Sequence, residues 1–280
     1  GEARSDAAGV VLMIASEALL AVVNAIVKFV SSWSSQKIMV VRLSVDFVLN
    51  MVLVFAMGYE RPSAKVAARL LLRGGAYCSF LVFLWAALKS CLPLGDVVVV
   101  VVAISPLFLV LLTRLFLGEA IPSGWPVQFL LCVVGALLVN KPFAPERDCP
   151  VSTTLLPIAA AFAGALMNFA SRNVKEVPAP VVCIFNDVVG VSFASAALAV
   201  LSPDERVLGP GGELSPGFWL VALSAVFGWA GLLCNVRGYQ TVSVAAIAGI
   251  ASSRPSPWAT SCRCHFSVRC PTPSRPRARC

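Results

Sequence analysis

Apolar runs of about 20 residues alternate with short polar segments along most of the chain. An α-helix needs a run of that length to cross the hydrocarbon core of a bilayer. The dividing segments carry turn residues, as in Gly58-Tyr59-Glu60-Arg61-Pro62 and Gly209-Pro210-Gly211-Gly212. A ninth run begins near Thr241 and stops at Ser252. The eight predicted complete spans are 8–30, 37–57, 73–91, 95–117, 124–141, 153–173, 180–202 and 216–235.

Composition agrees with a membrane protein. Hydrophobic residues make up 58% of the 280 residues, charged residues make up 13%, and the mean hydropathy is +0.85. A soluble domain carries about 25% charged residues. We therefore expect an all-α, polytopic helix bundle surrounded by a lipid bilayer.

Most of the net charge of +8 lies at the end of the chain. Residues 253–280 hold six Arg and no acidic residue, which leaves sixteen Lys and Arg against fourteen Asp and Glu before them. Without a basic face elsewhere, we expect no nucleic-acid partner. Read in a shifted frame from about Ser252, the tail can encode an apolar segment that ends in Gly-Glu. We interpret 253–280 as a frame-shifted end, and a genuine isoform with a disordered basic tail is the alternative.

Enzyme chemistry finds little support in the sequence. There is no phosphate-binding loop and no G-x-S-x-G motif, and the one histidine, His265, lies in the tail. Cys262, Cys264 and His265 lack a second pair of metal ligands at a usable spacing. The six earlier cysteines are scattered in apolar runs, which predicts buried side chains without disulfide pairing. We predict no enzyme activity, no cofactor and no metal site.

Lysine and arginine are unequally divided between alternate polar segments. One set of segments carries nine of these residues, including those of the long basic segment 58–73, and the other set carries five. Cytosolic segments are enriched in Lys and Arg, so this distribution predicts a cytosolic N-terminus.

Three short matches relate the two halves of the chain, at offsets of 144, 141 and 148 residues. Because five spans per repeat is an odd number, the second copy must be inverted relative to the first. We predict two inverted five-helix repeats, 8–141 and 153–252, of which the second is incomplete. The matched segments are 22–28 with 166–172, 40–46 with 181–187, and 87–89 with 235–237.

The region 92–119 also carries a family resemblance. Its segments Leu92-Pro93-Leu94-Gly95-Asp96-Val97, Ser105-Pro106-Leu107-Phe108 and Leu115-Phe116-Leu117-Gly118-Glu119 resemble the signature of the drug/metabolite transporter superfamily. More narrowly, they resemble the EamA-like domain, and among eukaryotic members the chain is most similar to the G-type branch of solute carrier family 35. The resemblance covers about 8–252. It implies ten spans in two inverted repeats, cytosolic termini, and a small polar metabolite moved by alternating access.

Arg42 and Asp46 are the first candidate site residues. They lie four apart on one face of the second span. A charge at membrane depth costs about 2.5–3.5 kcal/mol, so such residues face a partner or a water-filled cavity. Arg42 is predicted to bind a polar or anionic substrate group while Asp46 orients it. The alternative is an intrahelical ion pair at the helix end.

Asn24 with Lys28, and Asn168 with Arg172, recur at the same spacing in the two halves. Recurrence at one helix position favours a central cavity lined by both pairs. The cations have an alternative role, because long basic side chains near span ends extend to the membrane surface.

Further polar residues lie inside predicted spans. Asn186 and Asp187 are candidate binding residues in span seven, and Glu17 in span one is a candidate for proton coupling. A neutral acid that is hydrogen-bonded to a neighbouring helix is the alternative for Glu17. Pro106 interrupts the helical hydrogen bonds of span four, as a hinge or as a purely structural kink. Three aromatic residues are candidates for cavity lining or for anchoring at the membrane surface: Tyr77, Trp85 and Trp229.

These observations predict a secondary transporter of small polar or anionic metabolites. The alternative is a non-transporting membrane protein that binds or regulates a partner. The expected partners of the transporter are a small-molecule substrate, the bilayer and a second copy of the chain as a homodimer.

Overall fold

The computed structural model describes residues 2–30, 32–118, 124–140, 150–202 and 216–242. These residues form eight α-helices, and within the described ranges there is no β-strand. The predicted ninth span, Glu119 and the tail 253–280 lie outside the described residues. The helices are α1 (Glu2–Phe29), α2 (Ser35–Met57), α3 (Ala64–Lys89), α4 (Leu94–Leu117), α5 (Trp125–Asn140), α6 (Val151–Arg172), α7 (Ala179–Leu201) and α8 (Pro216–Thr241).

Seven of these helices are long and apolar enough to cross a membrane. The chain is an integral, multi-pass membrane protein with a polytopic helix bundle, as predicted. Large apolar side chains such as Phe29, Leu72 and Val200 are more than 70% exposed, which suits a surface covered by lipid tails. The exception is α5, whose 16 residues give a length of about 24 Å. The described part of α5 is thus shorter than the other seven helices, and the full span at 124–141 stays a prediction.

Three helix boundaries lie six or more residues outside the predicted spans because charged residues were assigned to loops, and one of them is the start of α1 at Glu2 rather than at residue 8. Helix α3 begins at Ala64 rather than at residue 73, and α8 continues to Thr241 rather than ending at 235. The first turns of α3 keep Lys65 and Arg69 exposed, so their charges do not interrupt the helix. Arg73, which was counted as a loop charge, is buried inside α3.

The main contacts pair helices from the two halves of the chain. Helix α1 packs along α8, α3 along α6, and α2 along α7, while α4 also packs on α6. Small residues allow close approach. A Cβ atom on Gly190 of α7 would lie 2.5 Å from Leu43 Cδ1 of α2. A Cβ atom on Gly74 of α3 would lie 2.8 Å from the Phe185 carbonyl oxygen of α7.

The helix ends define two faces of the bundle. Helices α1 and α3 end together, since Lys28 reaches the carbonyl group of Leu88, and we call this the first face. Helices α6 and α8 end together, since Arg172 reaches the carbonyl group of Val242. This second face lies at the other end of the bundle, because Gly9 near the start of α1 contacts Val242.

One cysteine departs from the sequence prediction. Cys91, just after α3 at the first face, is disulfide-bonded, so the prediction that the cysteines lack disulfide pairing is wrong for this residue. Cys78, Cys183 and Cys234 are free thiols.

Candidate functional site

A set of charged and polar side chains lies where α2, α3, α7 and α8 meet, and all of them are buried except the half-buried Trp229. Asp46 lies at the midpoint of α2, and Trp229 lies next to the midpoint of α8. Because these helices are membrane-spanning candidates, Asp46 and Trp229 lie at mid-span, and Arg73, which bonds Ser171 next to the end of α6, extends the set towards the second face. We call the set the central polar cluster, and its members are Arg42, Asp46, Asn50, Arg73, Asn186, Asp187 and Trp229.

Arg42 and Asp46 form an ion pair within α2, with 3.7 Å between Arg42 Nε and Asp46 Oδ2. Both side chains are about 1% exposed. The guanidinium group lies 5.4 Å from the ring centroid of Trp85, within range of a cation–π interaction. On its other side is Gly228 of α8, where a Cβ atom would lie 2.6 Å from Arg42 Nε. The absence of a side chain at Gly228 therefore makes room for the buried cation.

Asn50 connects three helices. Its Nδ2 donates to Asp187 Oδ2 of α7 at 2.8 Å, and its Oδ1 accepts from Trp229 Nε1 of α8 at 3.0 Å. A buried carboxylate needs such a donor, because an ionised group without a hydrogen bond is costly in a low-dielectric interior. Asn50 thus holds the Asp187 carboxylate at the interface of α2 and α7.

Arg73 connects α3 to α6 and α7. Its Nε donates to Ser171 Oγ at 2.8 Å, and its Nη1 donates to Asn186 Oδ1 at 2.6 Å. Its side chain is 1% exposed, so both bonds lie in the protein interior.

The cluster balances two arginines against two aspartates. Asp187 also interacts through space with Asp46, Arg42 and Arg73. Several atoms of the central polar cluster have no hydrogen-bond partner in the protein: both Asp46 carboxylate oxygens, Asp187 Oδ1, Arg42 Nε and Arg73 Nη2. Donors and acceptors that remain available at one place are suited to a polar ligand, since buried polar groups are normally paired.

The structure gives Lys28 and Lys89 a reciprocal arrangement at the first face. Lys28 Nζ, on α1, donates to the carbonyl oxygens of Leu88, Ser90 and Leu92 at 2.6, 3.1 and 3.2 Å. Lys89 Nζ, on α3, donates to the carbonyl oxygens of two residues after α1, Val30 and Trp33. Each lysine thus binds carbonyl groups at the end of the other helix. We call this the α1–α3 brace.

An equivalent arrangement joins α6 to α8 at the second face. Arg172 Nη1 donates to the Val242 carbonyl oxygen at 3.0 Å. Gln240 Nε2 donates to the carbonyl oxygens of Val174 and Val177 at 3.2 and 3.0 Å. We call this the α6–α8 brace. Lys28 and Arg172 are matched by sequence, and both donate to carbonyl groups at the end of another helix. The second donor of the α6–α8 brace is Gln240, whereas the residue matched to Lys89 by sequence is Arg237.

Within the part of the chain that the structure describes, no hydrogen bond joins the other predicted site residues to the central polar cluster. Asn168 is buried one turn before Arg172, and its Oδ1 has no hydrogen-bond partner, whereas Asn24 is half-buried. Glu17 lies near the middle of the apolar part of α1 with an exposed side chain, and it interacts electrostatically with Tyr239 of α8. Pro106 is inside α4, as the sequence predicted.

A cleft of about 390 Å³ opens at the second face. Exposed Lys175 and Arg237 line it together with Tyr59, and Glu176 contributes one acidic group. The excess of positive charge favours an anionic group at this opening. Among the described residues, no group of three or more His, Cys, Asp or Glu side chains could hold a metal ion.

Sequence reasoning missed three members of the cluster. Arg73 was assigned to a loop, while Asn50 was not considered as a site residue. Trp229, which bonds Asn50, was identified only as an aromatic residue with two alternative roles. Tyr77, which was given the same two roles and is not a member of the cluster, is 2% exposed. A usable signal was present, because Asn50 follows Asp46 by four residues on the same face of α2.

Comparison with known proteins relates about half of this chain to named proteins. No protein-family model matches the chain, so the resemblance to the EamA-like domain stays a prediction. Two proteins of Pseudomonas aeruginosa, from strains UCBPP-PA14 and PAO1, are each named pseudopaline exporter CntI and are 32% identical to this chain over 137 residues. The match covers 49% of this chain and 47% of each relative. The chain thus spans about half the length of the curated relatives it matches.

A solved crystal structure also resembles the fold. It covers 88% of this chain and 85% of its own chain, with a TM-score of 0.64 and 18% sequence identity. At this identity, the likeness shows the arrangement of helices alone.

Proposed function

We propose that the protein is a secondary transporter that moves small polar or anionic metabolites across a membrane by alternating access. The central polar cluster is the observation that carries this proposal. Arginine and aspartate at the middle of a membrane are costly, and they are typical of substrate or ion pathways. In many transporters, the substrate site lies at this depth between two structural repeats.

Arg42 and Asp46 are the proposed centre of the substrate site, with Asn186 and Asp187 facing them from α7. Their donors and acceptors that make no hydrogen bond within the protein would bind the polar groups of the substrate. All four residues are almost fully buried, so the helices must separate before a substrate can reach them. This requirement fits a carrier that opens alternately to the two sides.

The partial match to two named exporters supports transport as the activity. The positively charged cleft at the second face supports an anionic or polar substrate that approaches from that side. Glu17 is the proposed site of proton coupling, because it is a carboxyl group near the middle of a membrane-spanning helix.

The two braces support the proposal of inverted repeats. Each brace joins the first and third helices of one proposed repeat at their ends, and the two braces lie on opposite faces. A cytosolic N-terminus would place the second face in the cytosol and the first face outside it. The disulfide bond of Cys91 at the first face supports this orientation, since disulfides persist in oxidising compartments.

A thermal-shift screen tests binding at the cluster. The purified full chain would be screened against nucleotide sugars, phosphorylated metabolites and amino-acid derivatives. A ligand at 100 times its Kd stabilises a protein by about 2.7 kcal/mol, which is readily measured. We expect at least one compound to stabilise the wild type and Ser192→Ala, an exposed position on α7, but not Arg42→Ala. An equal shift in Arg42→Ala would remove this residue from the site.

A further inference from the structure

Each brace joins two helices that make few other contacts with each other. Helix α1 packs along α8, and α3 packs along α6, whereas contacts between α1 and α3 and between α6 and α8 are sparse. The hydrogen bonds of Lys28 and Lys89 therefore supply much of the connection between α1 and α3 at the first face. Those of Arg172 and Gln240 do the same for α6 and α8 at the second face.

The bonds of the braces reach the Leu88 carbonyl group in the last turn of α3 and, otherwise, carbonyl groups of residues that follow a helix end. The last four carbonyl groups of a helix lack a partner within the helix, and the negative end of the helix dipole attracts cations there. In lipid, an unsatisfied backbone group costs several kcal/mol. If the ends of α1 and α3 separate, water must therefore replace the lysines. Breaking a brace is thus linked to opening of its face to water.

We propose that the two braces are the latches of alternating access, and that one brace breaks while the other stays formed. This inference rests on the proposed transport function. Separation of α1 from α3 would open the bundle from the first face, and separation of α6 from α8 would open it from the second. Both braces are formed in the structure, which corresponds to a state closed at both ends.

The two latches differ in chemistry. The α1–α3 brace has two lysine ammonium groups, whereas the α6–α8 brace pairs Arg172 with the neutral amide of Gln240. Hydrogen bonds from a charged donor are about twice as strong as those between neutral groups. The α6–α8 brace therefore opens more readily than a brace with two cations would, and Gln240 sets this difference.

Distance measurements between spin labels in the full chain, reconstituted in lipid nanodiscs, test the latches without a substrate. Labels on an encoded ketone amino acid leave the native cysteines in place. A pair at Phe29 and Phe83 reports separation of α1 from α3. A second pair at Asn173 and Arg237 reports separation of α6 from α8. All four label positions are exposed.

Lys28→Met should produce a longer distance at the first face, with the second-face distance unchanged. The open fraction should rise at least tenfold, because Lys28→Met removes three hydrogen bonds from a charged donor, and the loss of one such bond already corresponds to about that factor. Lys28→Arg keeps the charged donors and should restore the closed distribution. Gln240→Leu should give the mirror result, with a longer distance at the second face alone.

Two results would overturn the proposal. If both distances lengthen together in either variant, the brace holds the bundle together and is no latch. If neither distance changes, the brace does not hold its face closed. If Lys28→Met fails to fold, the test rests on Gln240→Leu, because that substitution removes an uncharged side chain and leaves the charge of the protein unchanged. If one face opens alone but the protein moves no metabolite, the transport proposal is refuted and the latch proposal stands. If the protein moves a metabolite but neither face opens alone, only the latch proposal is refuted.

Discussion

Asn50 should be the most sensitive uncharged side chain of the central polar cluster. In Asn50→Leu, the Asp187 carboxylate loses the donor at 2.8 Å, and the indole of Trp229 loses the acceptor at 3.0 Å. Asp187 Oδ1 already has no hydrogen-bond partner, so the substitution removes the hydrogen bond that the structure shows for this carboxylate.

The magnitude follows from the two groups left unpaired. A buried polar group without its partner costs about 1–3 kcal/mol, and a charged group costs more. In membranes the unfolded reference state also finds partners, which reduces measured hydrogen-bond couplings to about 0.6 kcal/mol on average, with a maximum near 1.7 kcal/mol. We therefore expect Asn50→Leu to lower the free energy of unfolding by about 2–4 kcal/mol.

Unfolding of the full chain in bicelles by added SDS measures this loss. Ser192→Ala is the matched control, because Ser192 is exposed on α7 and bonds only the Val188 carbonyl oxygen within its own helix. Its change should stay within about 0.5 kcal/mol. A double-mutant cycle of Asn50→Ala with Asp187→Ala isolates the pair, with an expected coupling of about 1–2 kcal/mol. A loss as small as the control, or additive single effects, would refute the reasoning.

Two further predictions follow from the geometry of the bundle. Gly228→Ala places a methyl group against the guanidinium of Arg42, so we expect a loss of about 1–3 kcal/mol in the same unfolding titration; unchanged stability would mean that Arg42 has room to move. The second prediction concerns the orientation of the chain in the membrane. A thiol reagent that cannot cross membranes should label Cys91 from outside only after treatment with a reductant that also cannot cross. Labelling of Cys91 without reduction would contradict the disulfide.

The helices were predictable because their signal is continuous. A run of about 20 apolar residues has few alternatives to a membrane span, and seven spans follow from it. The start of α3 was not predictable in this way, because Lys65 and Arg69 look the same in sequence whether they lie in a loop or on an exposed helical turn.

The cluster was only half predictable, for a physical reason. Arg42 and Asp46 lie four residues apart, and their pairing requires only that the segment is helical. The bonds of Arg73 to Ser171 and Asn186 join residues about 100 positions apart, and no local pattern indicates which helices meet. The braces are a similar case, since their acceptors are backbone carbonyl groups, which every residue possesses.

Flux across a membrane tests the central claim most directly. The full chain would be reconstituted in proteoliposomes, and the liposomes would be loaded with a metabolite that stabilises the protein in the thermal-shift screen. Exchange of the labelled metabolite would be followed for the wild type, Arg42→Ala, Asn168→Ala and Ser192→Ala. We predict exchange above that of empty liposomes for the wild type and Ser192→Ala, and at least a tenfold lower rate for Arg42→Ala, because a lost charged hydrogen bond is worth about that factor. Exchange no faster than in empty liposomes, for every metabolite that binds, would contradict the account.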